Sequence, residues 1–404
     1  MWFARMAFLS IAMAMTTIAH GKEEPFIQGQ QTFAYDLFRT MFAPNLVISP
    51  YSISASMSLA YVGAKGETSE QIQCILHLPD GVKTTVGRWH ALQQELASSC
   101  RSLEAVVHDS SVQLAPDYLD NIKQGWNADV FSGDLQHYPE ACSRAVNQWV
   151  QKGTEGHINA LLGPNDLNEQ SRLVLLSAIW FQASWLDPFS REETTQAPFT
   201  TTSGTAVQVP MMQQLGMCEL MEDDEVFVVV RQLKHQERVA EKQLDIRCVI
   251  ILPKDPGKTE AIGKQLAPGV VNRWLSSLRS SYVQLFLPRF VVRQRYELGP
   301  IFQAMGMTVP FSNAADFSAM TGASDMRIQK VVHAAELAID EAGVVASGAT
   351  AVIMNMKAVR PPGKAITVRC DHPFFVLIQE AHSGLVLFSA AITDPSISPA
   401  SPNT

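Results

Sequence analysis

Glu341 to Lys357 reads Glu-Ala-Gly-Val-Val-Ala-Ser-Gly-Ala-Thr-Ala-Val-Ile-Met-Asn-Met-Lys. Between the two terminal charges there is no charged residue and no proline. The first half is built of small side chains and the second of β-branched residues and methionine, so nothing bars it from extending as a strand in a crowded sheet. It has a defined end, because Arg360-Pro361-Pro362-Gly363 follows and two prolines remove N–H donors and fix φ. A neutral, β-capable segment of this length invites aggregation if left in water. It is therefore either an ordinary buried strand or a strand held in reserve, and we take the second reading.

Around this stretch the composition is that of a globular protein: 47% hydrophobic and 17% charged residues exclude a disordered chain. No linker, composition shift or internal repeat divides residues 22–395, so the chain reads as a single α+β domain with a frayed tail at 396–404. Residues 1–21 read as a secretory signal, with Arg5 as the positive end, Met6 to Ile18 as the apolar run and Ala19-His20-Gly21 as the cleavage site. That run is short for a transmembrane span and no later stretch approaches the length, so a secreted, extracellular protein without membrane insertion is expected. Cleavage deletes Arg5 and takes the formal charge from -8 to -9, a balance unsuited to general nucleic-acid binding. Six cysteines without CxxC spacing are too few for a disulfide framework, and no pairing is assigned.

Apolar periodicity predicts helices at 28–42, 89–100, 118–126, 141–162, 258–266 and 298–305, with a small-residue helix after Pro50. Leu173 to Phe181 is apolar on both faces, as a strand covered on each side must be. Further strands are expected at 106–112, 207–212, 225–233, 246–252 and 283–292, and at 328–337, 365–368, 374–379 and 385–391. The mixed-charge run 234–242 reads as solvated loop.

Enzyme signatures are absent: no Gly-x-Ser-x-Gly, no His-Glu-x-x-His, no phosphate-binding glycine loop and no dinucleotide fingerprint. Eight segments instead resemble the serpin family, in order and at similar spacing over nearly the whole mature chain. They are NLVISPYSISASMSLAYVGAKGET (45–68), VNQWVQKGTEGHI (146–158), LVLLSAIWFQASWLDPF (173–189), VPMM (209–212), LFLPRF (285–290), ADFS (315–318), Val332 to Thr350 and DHPFFVLIQEAHSGLVLF (371–388). The resemblance implies three β-sheets, about nine helices and a reactive-centre loop exposed at about 342–362. It implies an inhibitor acting as a suicide substrate rather than a catalyst, with no cofactor and no metal: a protease cleaves the loop, and the freed strand inserts into the main sheet.

Carried over residue by residue, the resemblance places the reactive bond at Lys357-Ala358, suited to a trypsin-like serine protease held as a covalent complex. Gly343 begins the hinge, and Val344, Ala346, Gly348, Thr350, Val352 and Met354 turn inward as the loop inserts. None is charged, as burial requires. Ser49, Ser52, Ser177 and His333 match the shutter cluster under the sheet, with Ser177 where the family has asparagine. Trp185, Arg289 and Glu341 match the breach at its top. Val344 replaces the usual Thr or Ser, and Ser389-Ala390-Ala391 replaces a glycine and an arginine. Met354 and Met356 beside the bond read as fillers. The stretch 86–104 offers only Arg88, His90 and Arg101, so glycosaminoglycan activation is not expected; a monomer is. The alternatives are a non-inhibitory serpin (carrier, chaperone or storage protein), whose hinge would tend to carry charge, bulk or proline, and a secreted hydrolase with a triad scattered through the sequence.

Overall fold

The computed structural model describes residues 24–79, 81–96, 100–234, 245–324, 326–344 and 364–397. The first third runs α1 (Pro25–Met41), β1 (Leu46–Ile48), α2 (Pro50–Gly63), α3 (Gly66–Leu76), α4 (Val82–Leu96), β2 (Cys100–Asp109), α5 (Pro116–Trp126), β3 (Asp129–Gly133) and α6 (Pro139–Gly153). The middle holds β4 (Leu173–Phe181), β5 (Ala183–Trp185), β6 (Thr195–Thr200), β7 (Ala206–Glu222), β8 (Val226–Lys234), β9 (Ile246–Pro253), α7 (Thr259–Gln265) and α8 (Pro268–Ser276). The last third adds β10 (Arg279–Pro288), β11 (Phe290–Glu297), α9 (Gly299–Ala304), α10 (Ser318–Thr321), β12 (Lys330–Ile339), β13 (Gly343–Val344), β14 (Ile366–Arg369), β15 (Phe374–Glu380) and β16 (Val386–Ile392). The expected signal segment, most of the reactive loop and most of the tail lie outside the described residues.

Three groups of strands carry the fold. The main sheet has the order β3-β2-β4-β12-β11, with β5 and β13 at its upper end. A second group runs β1-β16-β15-β9-β8, and a third joins β6, β7, β10 and β14. The seventeen-residue β7 passes from the third group to the second, pairing with β10 and then with β8.

Along β4 the side chains alternate between two cores. Leu173, Leu175, Ile179 and Phe181 face the large core that also contains α1 and α2, while Val174, Leu176 and Ala178 face a smaller cluster under α6 with Val146, Val150, Val332 and Ala334. This double burial is what a strand apolar on both faces requires. It places α6 and the segment after it across the outer face of the main sheet.

Among the boundaries that differ from the sequence expectation, three bear on the site. The helix expected over 141–162 stops at Gly153, because Glu155 (φ 53°) and Gly156 (φ 83°) take left-handed backbone and the Gly156 amide closes on the Gln151 carbonyl at 2.8 Å. The helix expected at 89–100 ends at Leu96, and Cys100 opens β2. The strand expected at 283–292 is two strands in different sheets, divided at Pro288, where the Arg289 amide turns to the Pro210 carbonyl (2.8 Å).

Asn147 of α6 holds the returning segment. Its Oδ1 accepts from the amides of Leu161 (2.8 Å) and Leu162 (2.9 Å), and its Nδ2 donates to the Leu162 carbonyl (2.8 Å). Asn147→Ala removes all three bonds and should cost about 2 kcal/mol, since buried backbone groups lose their partners. Urea denaturation checks this, with faster amide exchange at Leu161 and Leu162; a loss under roughly 0.5 kcal/mol would contradict it.

Candidate functional site

In the main sheet β4 and β12 pair directly and in parallel, from Lys330↔Val174 to Ala335↔Ile179. Above that point they part. Strand β13 fills the gap, with Gly343↔Ser184 and Val344↔Ala183 on one side and Val344↔Ile339 on the other. The chain therefore rises along β12, reverses, and points back down the seam, antiparallel to β12 and β5.

The reversal is held by Asp340, whose Oδ1 accepts from the amides of Ala342 (2.8 Å) and Gly343 (3.0 Å) while its own amide donates to the Gly343 carbonyl (2.9 Å). A Cβ at Gly343 would collide with the Ala183 carbonyl oxygen, so only glycine fits. Val344 is fully buried. The other inward positions, Ala346, Gly348, Thr350, Val352 and Met354, and the bond Lys357-Ala358 lie outside the described residues.

Glu341, Arg289 and Trp185 gather around this turn. Glu341 Oε1 accepts from Thr194 Oγ1 at 2.7 Å and faces Arg289 Nη1 at 3.5 Å. Its side chain is only 4% exposed against 49% for the arginine, so the carboxylate is buried while the cation stays wet. Trp185 is buried and donates its indole N–H to the Asp340 carbonyl (2.8 Å), and its amide to that of Ala342 (2.9 Å).

On the inner face one rung crosses the sheet: Glu104 on β2 opposite Ser177, Ser177 opposite His333, His333 opposite Tyr296. The Ser49 amide donates to His333 Nε2 (3.2 Å), which leaves the ring proton on Nδ1, donated to Ser177 Oγ at 2.9 Å. Ser49 Oγ donates to the Leu387 carbonyl (2.6 Å) and accepts from the Ser52 amide (3.2 Å), capping α2. The four expected shutter residues thus meet beneath the seam, and the Ser177 hydroxyl reaches the imidazole directly. Burial pushes the His333 pKa down to about 3, so the ring is neutral wherever the protein is folded in ordinary buffers.

Residues 28–395 match the family model described as serpin, serine protease inhibitor. The chain belongs to the serpin family. An uncharacterized serpin-like protein of Thermococcus kodakarensis is 30% identical over 387 residues, 94% of this chain and 88% of that protein. Human leukocyte elastase inhibitor is 30% identical over 379 residues (90% and 97%), and human corticosteroid-binding globulin 30% over 375 (90% and 89%). The fold agrees with the crystal structure of mouse protein-Z dependent protease inhibitor at a TM-score of 0.81, covering 92% of this chain and 97% of that one at 22% identity. The ten α-helices among the described residues, three of them shorter than eight, accord with the expected serpin architecture.

The serpin geometry adds residues that the sequence reading passed over. Glu104 is buried on the shutter rung, and burial raises its pKa to about 7 despite hydrogen bonds from Ser102 and from Gln93 (3.4 Å). An acid set between Leu103 and the apolar run Ala105-Val106-Val107 was the available signal. Ser389, Ala390 and Ala391 are buried on β16 between β1 and β15, where a charge would have no water. Of the cations weighed for polyanion binding, Arg88 is ion-paired with Glu24, His90 is bonded to the Gln124 carbonyl (2.8 Å), and Arg101 belongs to β2 rather than to a helix.

His333 makes stability depend on acid. The unfolded imidazole takes a proton below about pH 6.5 while the folded one stays neutral to about pH 3, so this group's contribution is complete above 6.5 and is lost as pH falls through that window. The stability difference between wild type and His333→Gln should therefore shrink by about 1.4 kcal/mol per pH unit on acidification below 6.5, measured by urea denaturation across a pH series. A difference that does not vary with pH would refute this.

Proposed function

We propose that this serpin is a secreted inhibitor of trypsin-like serine proteases, cleaved at Lys357-Ala358 and completing its action by drawing the loop into the seam between β4 and β12. The observation that carries the proposal is β13: two hinge residues already lie between the flanking strands and point along the seam. The sequence that follows, Val345 to Met356, holds no charge and no proline, so each successive residue can take the next place in the sheet. A lysine at the cleaved bond suits a primary pocket that holds a carboxylate.

The hinge also supports inhibition over a carrier role. Corticosteroid-binding globulin is as similar to this chain as leukocyte elastase inhibitor, so identity alone does not choose between them. In the proposed mechanism speed of insertion decides whether the acyl-enzyme is trapped or hydrolysed, and a hinge that starts inside the sheet favours trapping. The N-terminal 21 residues supply the route out of the cell.

Mixing the protein with trypsin and running a denaturing gel should give a covalent band at the summed mass; loop cleavage without that band supports a carrier, and neither result reopens the hydrolase reading. Lys357→Glu should lower the inhibition rate about a hundredfold or more, the factor carried by roughly 3 kcal/mol of like-charge repulsion and desolvation. Retained inhibition would move the bond elsewhere. Ala346→Arg should turn inhibitor into substrate, because an inward guanidinium stalls insertion, and an unchanged stoichiometry of inhibition would refute the alternation assigned to the strand.

A further inference from the structure

The seam is closed on its outer face by a group outside the hinge, shutter and breach. The segment after α6 crosses that face, and its first turn is fixed: the His157 amide donates to the Thr154 carbonyl (2.9 Å) and the Ile158 amide to Thr154 Oγ1 (3.0 Å). His157 then reaches both sides of the seam. Its ring stacks on Trp180 of β4, centroids 4.7 Å apart at 19°, and its Nδ1 lies 3.2 Å from Oε1 of Glu336 on β12. Glu336 is 2% exposed, and its second oxygen is held by Arg293 Nε of β11.

The location matters more than the contact. Ala335↔Ile179 is the last direct pair between β4 and β12, and Glu336 and Trp180 are the next residue on each strand. His157 therefore sits at the fork, where direct pairing stops and the wedge made by β13 begins. Neighbouring strands lie about 4.8 Å apart, so a new strand between them doubles that spacing to roughly 9.6 Å. One imidazole cannot then keep both its stack on Trp180 and its bond to Glu336.

We propose that His157 is a clasp across the fork, which a descending strand must break, and that its release limits how fast the seam admits the loop. It is a positioning residue that acts on the strands rather than on a protease. The inference rests on the strand-insertion reading of the previous subsection.

A synthetic peptide of residues 344–357, added to the full-length protein, tests it without any protease. Uptake is read as the rate at which the melting temperature rises. Wild type should gain heat stability, and His157→Ala should gain it about fivefold faster, equivalent to about 1 kcal/mol off the barrier. His157→Gln keeps a donor toward Glu336 but loses the ring, and should fall between the two. A His157→Ala protein that melts lower but takes up peptide at the wild-type rate would reduce the residue to ordinary packing and overturn the clasp. A wild type that gains no heat stability from the peptide would overturn the insertion reading and the clasp with it, whereas the gel assay above reports on inhibition independently.

Discussion

The direct parallel pairing of β4 with β12 is the contact on which the rest of this molecule turns. It spans six residue pairs and brings together strands distant in sequence. Parallel ladders have slanted hydrogen bonds and are slightly weaker per residue than antiparallel ones. A strand continuing β13 down the seam would replace this one parallel ladder with two antiparallel ladders, because β13 already opposes both neighbours in direction. In the proposed insertion, the closed sheet would gain pairing by this exchange. What keeps it closed is the packing on its two faces: α2 and the His333 rung on one side, α6 with its returning segment on the other.

The inner rung contains two buried titratable groups whose effects on stability oppose each other. His333 stays neutral when folded, so acid favours the unfolded chain between about pH 6.5 and 3. Glu104 keeps its proton when folded, so stability falls as pH rises from about 4.5 to about 7. Between roughly 4.5 and 6.5 the two slopes have equal size and opposite sign, and the rung contributes a nearly level term. Each group alone would make the closed sheet strongly pH-dependent in that range; together they buffer it.

Much of this was legible in the sequence, for reasons that differ by residue. Leu173 to Phe181 announced a doubly covered strand because every position but Ser177 is apolar, and of the neutral run after Glu341 only the start, Gly343 and Val344, is seen as strand β13, the rest lying outside the described residues. Ser49, Ser52, Ser177 and His333, which lie together beneath the sheet, were singled out through the family pattern. His157, Trp180, Glu336 and Arg293 were not, since their meeting depends on register between three strands and on a turn that only Gly156 and its neighbours hint at. The overlong helix at 141–162 failed for the same cause. Apolar positions beyond Gly153 continue the pattern, but Ile158, Leu161 and Leu162 face the sheet from an irregular segment that Asn147 holds in place.

Val344 stands where the family usually has a hydroxyl residue, and the structure gives that change a physical meaning. The position is fully buried between β5 and β12, and every neighbour in register, Ala183 and Ile339, is apolar. A hydroxyl buried there without a partner would cost about 1–3 kcal/mol, whereas a valine gains roughly 1.5–3 kcal/mol from leaving water. Valine therefore holds the hinge inside the sheet more firmly than threonine would. Gly343 directly above it accepts no side chain at all, so the wedge combines one residue that must be absent in bulk with one that anchors by bulk. Under the proposed insertion, a hinge seated this way starts inside the sheet, and the resistance to its advance lies below it, at the fork and along the six pairs of β4 with β12.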